Sequence, residues 1–394
     1  MTAKQPKILL AVTADMSLTL MRGFPEHLSN QGWEVHVVST PGPLLASLSS
    51  QPHVHTHSLP MERQPSPLKD LVALALWIRL LRRVRPDIMS VGTPKAGLLG
   101  CIAGFLVGVP RRLYLQRGLR LETASGFLRR VFTLLEKLTI AASHDVVAAS
   151  PSLRGRAIML GLVKDTKIRV LGSGSSNGID PDAYLESNFS GSEPKKLKNG
   201  LGLVDDVPVI GFVGRLSADK GILILSEARR ILSAAGVDHQ LLVVGGNDPG
   251  QDSSALITPG INVRNAIITG HVTDLRLHYQ LMDVLCLPTY REGFPNVVLE
   301  AGASGVPTVT TDVTGAIDSV VDKVTGLIVE VGSSVQLATA LEELLVNPIK
   351  RAAMGEAALD RIRESYRRID FWERHSNYYA EGPLKARLTP PTRS

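Results

Sequence analysis

The sequence predicts an α/β protein with two Rossmann-like domains, each built on a doubly wound parallel sheet. Its 394 residues suit two domains. Short apolar runs of strand length alternate with helical stretches in both halves of the chain. The hydrophobic content of 44% and the 35 glycines fit a globular chain with many tight strand–helix turns. We expect the first domain at residues 1–178 and the second at 179–370. Residues 371–394 should form a helix that returns to the first domain, followed by a flexible tail.

The composition narrows the function classes. A net charge of +6 and a pI near 9.3 are mildly basic, without the dense basic stripe of a nucleic-acid binder. They fit anionic substrates or an anionic membrane surface. Cys101 and Cys286 both lie in apolar stretches, which favours a reducing compartment without disulfides. No uninterrupted apolar stretch reaches the roughly 18 residues of a membrane span, and no signal peptide is recognisable. We therefore expect a cytoplasmic enzyme.

The first half opens with a βαβ unit. Strands are predicted over residues 7–12 and 35–39, with a helix over 18–31 between them. Residues 13–17 then form the loop at the carboxyl end of the first strand, where open α/β sheets bind ligands. This loop has no GxGxxG fingerprint, so a dinucleotide site of that type is not supported.

Two short patterns in the first half could bind metal. His53, His55 and His57 alternate, which would place all three on one face of a strand. No carboxylate or cysteine stands at ligand spacing, so an exposed edge strand is the favoured interpretation. Asp180 and Asp182 form a DxD triplet, but an isolated triplet with a proline in a turn favours a structural role. The glycine-rich stretch over 172–180 lacks the lysine of a phosphate loop, and we interpret it as the crossing between domains.

The rest of the first half continues the alternation of strands and helices. Aromatic residues at Trp77, Phe105 and 127–132 lie near arginines, and such a surface can dock on anionic headgroups. Ordinary core-facing helices with solvated basic sides are the alternative. The predicted elements are a helix over 68–85, a strand over 87–91, a helix ending at 106, a strand over 112–116, a helix over 127–138, a strand over 146–149 and a helix over 151–160.

A second βα series follows a polar surface segment over residues 187–206. It has the same alternation of buried strands and intervening helices, and it predicts the second domain. Its strands are predicted over residues 209–213, 240–244, 266–269, 284–287, 308–310 and 326–329.

The motif GRLSADKGI follows the first strand of this second series. Gly214 allows a close backbone turn, Arg215 supplies a planar fork for phosphate oxygens, and Lys220 supplies a point charge. Both cations follow the carboxyl end of a strand, where ligands bind. Taken alone, the motif could also be a solvated basic loop.

The run REGFPNVVLEAGASGVP predicts a loop and a short helix between two buried strands. Glu292 stands just before the helix, and Pro295 suits its first position, where no N–H is needed. The backbone N–H groups from Phe294 to Val297 are then free to face an anion. Glu300 follows about one turn into the helix, and both carboxylates can accept hydrogen bonds from hydroxyls. A phosphate with hydroxyls on both sides describes a nucleotide sugar.

Other loops of the second domain end strands of the same sheet. Gly245 can lie beneath a nucleotide base. His271 could line the base pocket or be an ordinary loop histidine. Thr314 and Gly315 follow the strand after the motif and are expected near the donor.

The pair GRLSADKG and E-GFPNVVL-E resembles the retaining GT-B glycosyltransferases of the family 4 type. The resemblance implies two Rossmann-like domains facing across a cleft. The stretches TPKAGLLG, RGLRLETASG, SPSLRGRAI and GSSNGID are similar to a narrower branch. That branch comprises bacterial enzymes that build capsule, exopolysaccharide or lipid-linked oligosaccharides.

The resemblance implies that a sugar moves, with retention, from a nucleotide-sugar donor to a glycan or polyprenyl-diphosphate-linked acceptor. UDP is the most common leaving group in the family. Arg215 and Lys220 would hold the donor diphosphate, and Glu292 the hydroxyls of the donor sugar. No metal or cofactor is implied, since the nucleotide sugar is a substrate. The other implied donor-binding residues are Gly214, Gly245, His271, Gly293, Phe294, Pro295, Asn296, Val297 and Glu300, the last on the ribose. The implied acceptor-binding residues are Ser17, Thr93, Lys95, Arg117 and Glu122.

Two positions depart from the family pattern, because many relatives carry a histidine where Gly92 and Arg117 stand. Other activities on the same fold also stay open. A nucleotide-sugar epimerase would need acid–base side chains around the sugar, and a phosphorylase would need a lysine that holds pyridoxal phosphate. Neither context is recognisable. A catalytically weak scaffold subunit is a further alternative, which the intact cations and carboxylates of the two motifs disfavour.

Overall fold

The structure, a computed structural model, describes residues 5–62, 66–190, 192–246 and 266–381. It divides the chain into unit 1, Met1–Asn177 with Ile369–Ser394, and unit 2, Gly178–Arg368. Each unit contains one parallel sheet with helices, so the predicted class of two Rossmann-like α/β domains is confirmed. The flexible tail that the sequence predicts falls within residues 382–394, outside the described part of the chain.

The sheet of unit 1 is parallel throughout its described strands, in the order β3-β2-β1-β4-β5-β6-β7. The chain builds outward from β1 to β3 and then returns to place β4 on the other side of β1. The loops after β1 and β4 therefore flank a topological switch point, where such sheets bind ligands. The strands are β1 (Lys7–Ala11), β2 (Glu34–Ser39), β3 (Val54–Ser58), β4 (Ile88–Gly92), β5 (Arg111–Gln116), β6 (Asp145–Ala148) and β7 (Ile168–Arg169).

The helices of unit 1 cover both faces of its sheet. α3 packs on α4, and α4 on α5, so these three form one layer. The last helix, α13, is held to the strands of unit 1: the Arg111 guanidinium donates to the Tyr378 carbonyl (2.7 Å), and the Tyr379 hydroxyl lies 2.9 Å from Ser90 Oγ. The helices are α1 (Phe24–Asn30), α2 (Pro43–Leu48), α3 (Pro67–Val84), α4 (Pro94–Val107), α5 (Gly126–Ala142), α6 (Pro151–Met159) and α13 (Arg368–Ala380).

The helix predicted over residues 18–31 is wrong in its extent. The chain forms a 3-10 helix over Asp15–Met21 and then α1, and Gly23 separates the two. Gly23 has a φ of +81°, and a Cβ there would lie 2.6 Å from the ring of Trp372. The break is therefore set by the contact with α13, far away in sequence, as well as by the left-handed backbone.

The alternating histidines lie on the edge strand β3, as the favoured interpretation holds, although His53 precedes the strand. His55 and His57 stack on His36 of β2, with ring centroids 4.9 and 5.2 Å away. His36 Nδ1 lies 2.9 Å from His57 Nε2. Among the described residues, no group of three or more His, Cys, Asp or Glu side chains is arranged to hold a metal ion.

Burial of His36 makes the stability of unit 1 depend on pH. Burial lowers the pKa of His36 from 6.5 to about 4, against the opposing hydrogen bond to Glu34. The unfolded chain takes up a proton near pH 6.5, whereas the folded chain does so only near pH 4. Stability is therefore fully present above pH 6.5 and falls by about 3 kcal/mol from this group as the pH drops to 4. Urea unfolding of His36→Gln should show a smaller loss over this window than the parent protein; equal losses would contradict the assignment.

Unit 2 repeats the doubly wound plan, with the order β10-β9-β8-β11-β12-β13 and parallel pairing in its described strands. The loops after β8 and β11 flank its switch point. Its strands are β8 (Val209–Val213), β9 (Gln240–Val244), β10 (Ala266–Ile268), β11 (Val284–Leu287), β12 (Thr308–Thr311) and β13 (Gly326–Val329). Its helices are α7 (Glu193–Leu201), α8 (Ile222–Ala234), α9 (Arg276–Tyr279), α10 (Asn296–Ala303), α11 (Ser334–Leu345) and α12 (Pro348–Ser365).

The polar segment predicted over residues 187–206 contains α7, which buries none of its side chains. In the ranges that the structure describes, no helix combines the length and the apolar character needed to cross a bilayer.

Candidate functional site

Two loops of unit 2 meet at the switch point of its sheet. Residues 214–221 follow β8, and residues 288–295 follow β11. The carbonyl of Asp219 in the first loop accepts from the backbone N–H of Tyr290 (2.9 Å) and the hydroxyl of Thr289 (3.1 Å) in the second. These bonds fix the two loops side by side, so the two sequence motifs form one site.

The centre of this site is an ion pair between Lys220 and Glu292. Lys220 ends a short 3-10 helix after β8, and Glu292 lies just before α10, 72 residues further along the chain. Lys220 Nζ donates directly to Glu292 Oε1, and the two side chains are only 19% and 12% exposed. The structure thus brings together two of the three predicted catalytic residues.

Asp219 holds a guanidinium on each side. Its Oδ2 lies 3.6 Å from Nη2 of Arg215 and 3.5 Å from Nη2 of Arg291, and Ser217 Oγ donates to its Oδ1 (2.5 Å). Burial alone would raise the pKa of Asp219, but the Ser217 hydroxyl and the neighbouring cations outweigh burial and lower it. The carboxylate is therefore charged at neutral pH and orients both arginines.

Sequence reasoning missed Asp219 and Arg291. A signal was present, because Asp219 lies within GRLSADKG and Arg291 directly precedes Glu292. Both are charged residues just after buried strands, which is the criterion that selected Arg215 and Lys220. The site thus contains three cations, Arg215, Lys220 and Arg291, on two neighbouring loops.

Two buried polar atoms, one in the second loop and one at the first residue of α10, have no hydrogen-bond partner among the described residues. They are the Nε donor of Arg291 and the Oδ1 acceptor of Asn296. Buried polar groups are nearly always hydrogen-bonded in native proteins. This donor and this acceptor are therefore available for hydrogen bonds to a polar ligand.

Helix α10 begins at Asn296, one residue later than predicted. Pro295 has a ψ of 107°, an extended conformation, and so precedes the helix instead of occupying its first position. Further along, Glu300 Oε2 accepts from the hydroxyl of Tyr279 at 2.7 Å. Tyr279 is fully buried, and burial, followed by the charge of Glu300, raises its pKa well above the ordinary value. Its neutral hydroxyl therefore fixes the Glu300 carboxylate, a role that the sequence did not reveal.

Glycines bring the backbones of the site into close contact. A Cβ on Gly245 would lie 1.8 Å from the carbonyl oxygen of Gly214, so the loops after β8 and β9 touch. A Cβ on Gly315 would lie 2.5 Å from the carbonyl oxygen of Gly293. Any side chain at Gly245 or Gly315 would separate these loops.

The other predicted donor residues lie around these loops. Phe294 is buried and packs on Tyr366, with ring centroids 5.4 Å apart. Val297 is half-buried against the core of unit 2. His271 is exposed on the loop after β10, with its backbone nitrogen 3.8 Å from where a Cβ on Gly246 would lie. The structure places it on the surface without a contact to Lys220 or Glu292.

In unit 1, Thr93 and Arg117 lie at the carboxyl edge of the sheet. Thr93 has a φ of +67°, and its Oγ1 lies 2.8 Å from that of Thr13 across the switch point. The Arg117 guanidinium donates to the Leu20 carbonyl (3.3 Å), and its Nε lies 3.2 Å from where a Cβ on Gly92 would be. These two predicted acceptor residues therefore both contact the segment that follows β1.

The remaining predicted acceptor residues are engaged elsewhere in unit 1. Lys95 Nζ lies 2.7 Å from Oδ1 of Asp70, and Glu122 Oε1 lies 3.3 Å from Nε of Arg156. The backbone N–H of Ser17 donates to the Ala14 carbonyl (2.9 Å).

Both units match known families. The family described as "Glycosyl transferase 4-like domain" matches residues 21–174, and "Glycosyl transferases group 1" matches residues 207–347. The second range contains both motifs of the unit 2 site.

Relatives and solved structures agree with these families. The chain is 38% identical over 381 residues to the capsular polysaccharide biosynthesis glycosyltransferase CapM of Staphylococcus aureus, covering 95% of this chain and 97% of CapM. It is 25% identical over 311 residues to the Escherichia coli UDP-Gal:alpha-D-GlcNAc-diphosphoundecaprenol alpha-1,3-galactosyltransferase, covering 77% of this chain and 78% of that enzyme. Anabaena HepE, solved with UDP-glucose, superposes with a TM-score of 0.77 at 19% identity, covering 95% of this chain and all of HepE.

Proposed function

The chain belongs to the group 1 glycosyltransferases, and from this family we propose that it transfers a sugar from a UDP-linked donor to a glycan or polyprenyl-diphosphate-linked acceptor. The product would be a capsular or other cell-surface polysaccharide. One observation supports the donor site: Lys220 and Glu292 pair at the switch point of unit 2, on the two loops that also contain Arg215 and Arg291. The name of the S. aureus relative supports the pathway, and the name of the E. coli relative supports the lipid-diphosphate acceptor.

The three cations of unit 2 would bind the donor diphosphate. Arg215 and Arg291 are each ion-paired with Asp219 at 3.5 Å or more, longer than a direct charged hydrogen bond. A phosphate oxygen could therefore accept a hydrogen bond from the unsatisfied Nε of Arg291. The N-terminus of α10 adds backbone donors and a favourable dipole. HepE, bound to UDP-glucose, supports UDP as the nucleotide.

The carboxylates would bind the hydroxyls of the donor. Glu292 would hold the sugar, beside the backbone of residues 293–296, and Glu300, fixed by Tyr279, would hold the ribose. The unsatisfied Oδ1 of Asn296 is an acceptor for a further donor hydroxyl. Gly245 and His271 would lie towards the base.

We propose that the sugar keeps its anomeric configuration through front-face attack by the acceptor. The bond between the anomeric carbon and the leaving phosphate oxygen breaks as the bond to the acceptor oxygen forms. The acceptor proton passes to that phosphate oxygen, so no side chain is needed as a base. Fixed cations stabilise the charge that develops on the departing diphosphate. Because these cations supply that stabilisation, the proposed mechanism uses no metal or cofactor.

The acceptor side would use the carboxyl edge of unit 1, with Ser17, Thr93, Lys95, Arg117 and Glu122. Helices α3 and α5 begin at this edge, since they run opposite to the strands they connect. Their first turns expose apolar side chains, among them Leu68 (80% exposed) and Phe127 (81%). The arginines at 129 and 130 beside Phe127 are exposed as well. Trp77, by contrast, is fully buried and cannot contact lipid.

We propose that this apolar and basic surface contacts an anionic membrane peripherally. Binding to vesicles with anionic lipid should exceed binding to neutral vesicles, and Phe127→Ser should reduce it. Ile349→Ser is a matched control, because Ile349 of unit 2 is equally exposed (83%). Equal loss in both variants, or no preference for anionic lipid, would contradict the assignment.

A thermal-shift screen with UDP, GDP, ADP and NAD tests the donor class. A ligand at about 100 times its dissociation constant stabilises the native state by about 2.7 kcal/mol, which should raise the midpoint by several degrees. We expect a shift with UDP alone. A shift with GDP alone would keep the transferase and change the donor. Absence of a shift with every nucleotide would count against the proposed site.

A further inference from the structure

We propose that Arg117 binds an anionic group of a substrate at the carboxyl edge of unit 1, and that this group is the diphosphate of the acceptor. The inference rests on the proposed function, since the acceptor is part of it. It adds the chemical group that unit 1 recognises, which neither the families nor the relatives assign to a residue here.

The first observation is that Arg117 has no carboxylate partner. Its only hydrogen bond within the described chain runs from Nη1 to the Leu20 carbonyl, at 3.3 Å. No Asp or Glu in the described ranges forms an ion pair with it. Burial lowers the pKa of Arg117 to about 10, so the group remains charged at neutral pH. A partly buried charge without a counter-ion is unfavourable, and a bound anion would offset this cost.

Arg112, within β5, shows how this fold satisfies the hydrogen-bond donors of a purely structural arginine. It is buried, and its Nε and Nη1 donate to the carbonyls of Ala142 and Val109, each at 2.7 Å. Arg117 has no comparable set of carbonyl acceptors. The contrast between these two arginines indicates that the Arg117 guanidinium binds a ligand instead of stabilising the fold.

The second observation is where the guanidinium lies. Arg117 follows β5, passes beside Gly92 at the end of β4, and reaches Leu20 in the segment after β1. It therefore crosses the switch point of unit 1, where ligands bind in sheets of this kind. Gly92 leaves the space that the guanidinium uses, because a Cβ there would lie 3.2 Å from its Nε.

The third observation is a free hydroxyl beside the cation. Arg117 and Ser176 line the same narrow pocket. Ser176 is largely buried, and its hydroxyl has no hydrogen-bond partner in the ranges that the structure describes. A guanidinium and a hydroxyl donor together suit the several oxygens of a phosphate or carboxylate.

The proposed function supplies such an anion in the diphosphate of a lipid-linked acceptor. A carboxylate on an acidic sugar has the same chemistry and is the other possible source. Two probes separate them: inorganic pyrophosphate for the diphosphate, and D-glucuronate, with glucose as its neutral control, for the carboxylate.

The titrations are made by calorimetry on the full chain carrying Arg215→Gln and Lys220→Gln, which removes two of the cations proposed to bind diphosphate in unit 2. In this background we expect pyrophosphate to bind, and Arg117→Met to weaken it about tenfold or more, as for loss of a charged hydrogen bond. Arg117→Lys, which keeps the charge, should restore part of the affinity. Arg154→Met is the matched control, because Arg154 is already paired with Asp165 in the same unit.

The outcomes are distinct. If glucuronate binding depends on Arg117 and pyrophosphate binding does not, Arg117 binds an anion, but the proposal that this anion is the diphosphate is overturned. Affinity for both probes that is unchanged by Arg117→Met, or no binding of either probe, would overturn the proposal.

Two further measurements separate this proposal from a structural role and from the proposed function. Arg117→Met should not lower the thermal midpoint, because it removes an uncompensated charge; a clear fall would show that Arg117 supports the fold. UDP should raise the thermal midpoint of the parent protein and of the single variant Arg117→Met by the same amount. If UDP gives no shift at all, the proposed donor site fails, while the pyrophosphate titration still decides the role of Arg117.

Discussion

Replacing Lys220 by glutamine is expected to lower kcat by about two to three orders of magnitude. In the proposed reaction this ammonium neutralises charge that develops on the leaving diphosphate, and loss of one such preorganised group typically has an effect of this size. The affinity for UDP should fall as well, because the same charge acts in the ground state. Turnover with a UDP-sugar and calorimetric titration of UDP measure the two effects.

Lys350→Gln is the matched control for this variant. Lys350 also forms an ion pair with a glutamate, Glu343, in unit 2, but that pair is about 40% exposed and away from the two motifs. Exposed pairs contribute about 0–1 kcal/mol, so turnover and UDP affinity should both be retained. Full turnover in Lys220→Gln would remove Lys220 from the proposed machinery.

Replacing Glu292 by glutamine is expected to lower turnover about 10- to 100-fold, as for loss of charged hydrogen bonds to the sugar hydroxyls. Its effect on UDP should be opposite to that of Lys220→Gln. UDP lacks the transferred sugar that Glu292 would bind, and loss of the carboxylate leaves Lys220 without its partner and free to bind phosphate. The UDP affinity should therefore be unchanged or higher.

The comparison of the two variants assigns the roles of the ion pair. Glu343→Gln, in the exposed pair of unit 2, controls for loss of a negative charge. If Glu292→Gln weakens UDP binding as much as Lys220→Gln does, Glu292 acts by positioning Lys220 and not on the sugar. If Glu292→Gln leaves turnover unchanged, the proposed role of Glu292 in donor binding is wrong.

The buried strands were the most predictable part of the fold. The ranges 209–213, 240–244, 284–287 and 326–329 agree with the structure at both ends. Each is a short apolar run, buried because helices cover both faces of a parallel sheet, so its hydrophobicity alone marks its limits. The order of strands and helices then indicated which loops end at the ligand-binding edge.

Breaks in helices and the hydrogen-bond partners of the site residues were less predictable, because they depend on residues far away in sequence. The break at Gly23 involves Trp372 of α13, and the fixed position of Glu300 depends on Tyr279 of α9. Asp219 was not predicted, because it contacts both Arg215 and Arg291, and those two arginines lie on different loops.

By itself, the sequence determined the two-sheet fold, the family and the loops that carry Arg215, Lys220, Glu292 and Glu300. These follow from local apolar patterns and from short motifs in which neighbouring residues act together. Only the tertiary structure decided that Lys220 pairs with Glu292, that Asp219 orients two arginines, and that Arg117 lies beside Gly92 without a carboxylate partner in the described chain. Such pairings depend on the distance between side chains in the folded protein, and residues that are remote in sequence acquire that distance only when the sheet brings their strand ends together.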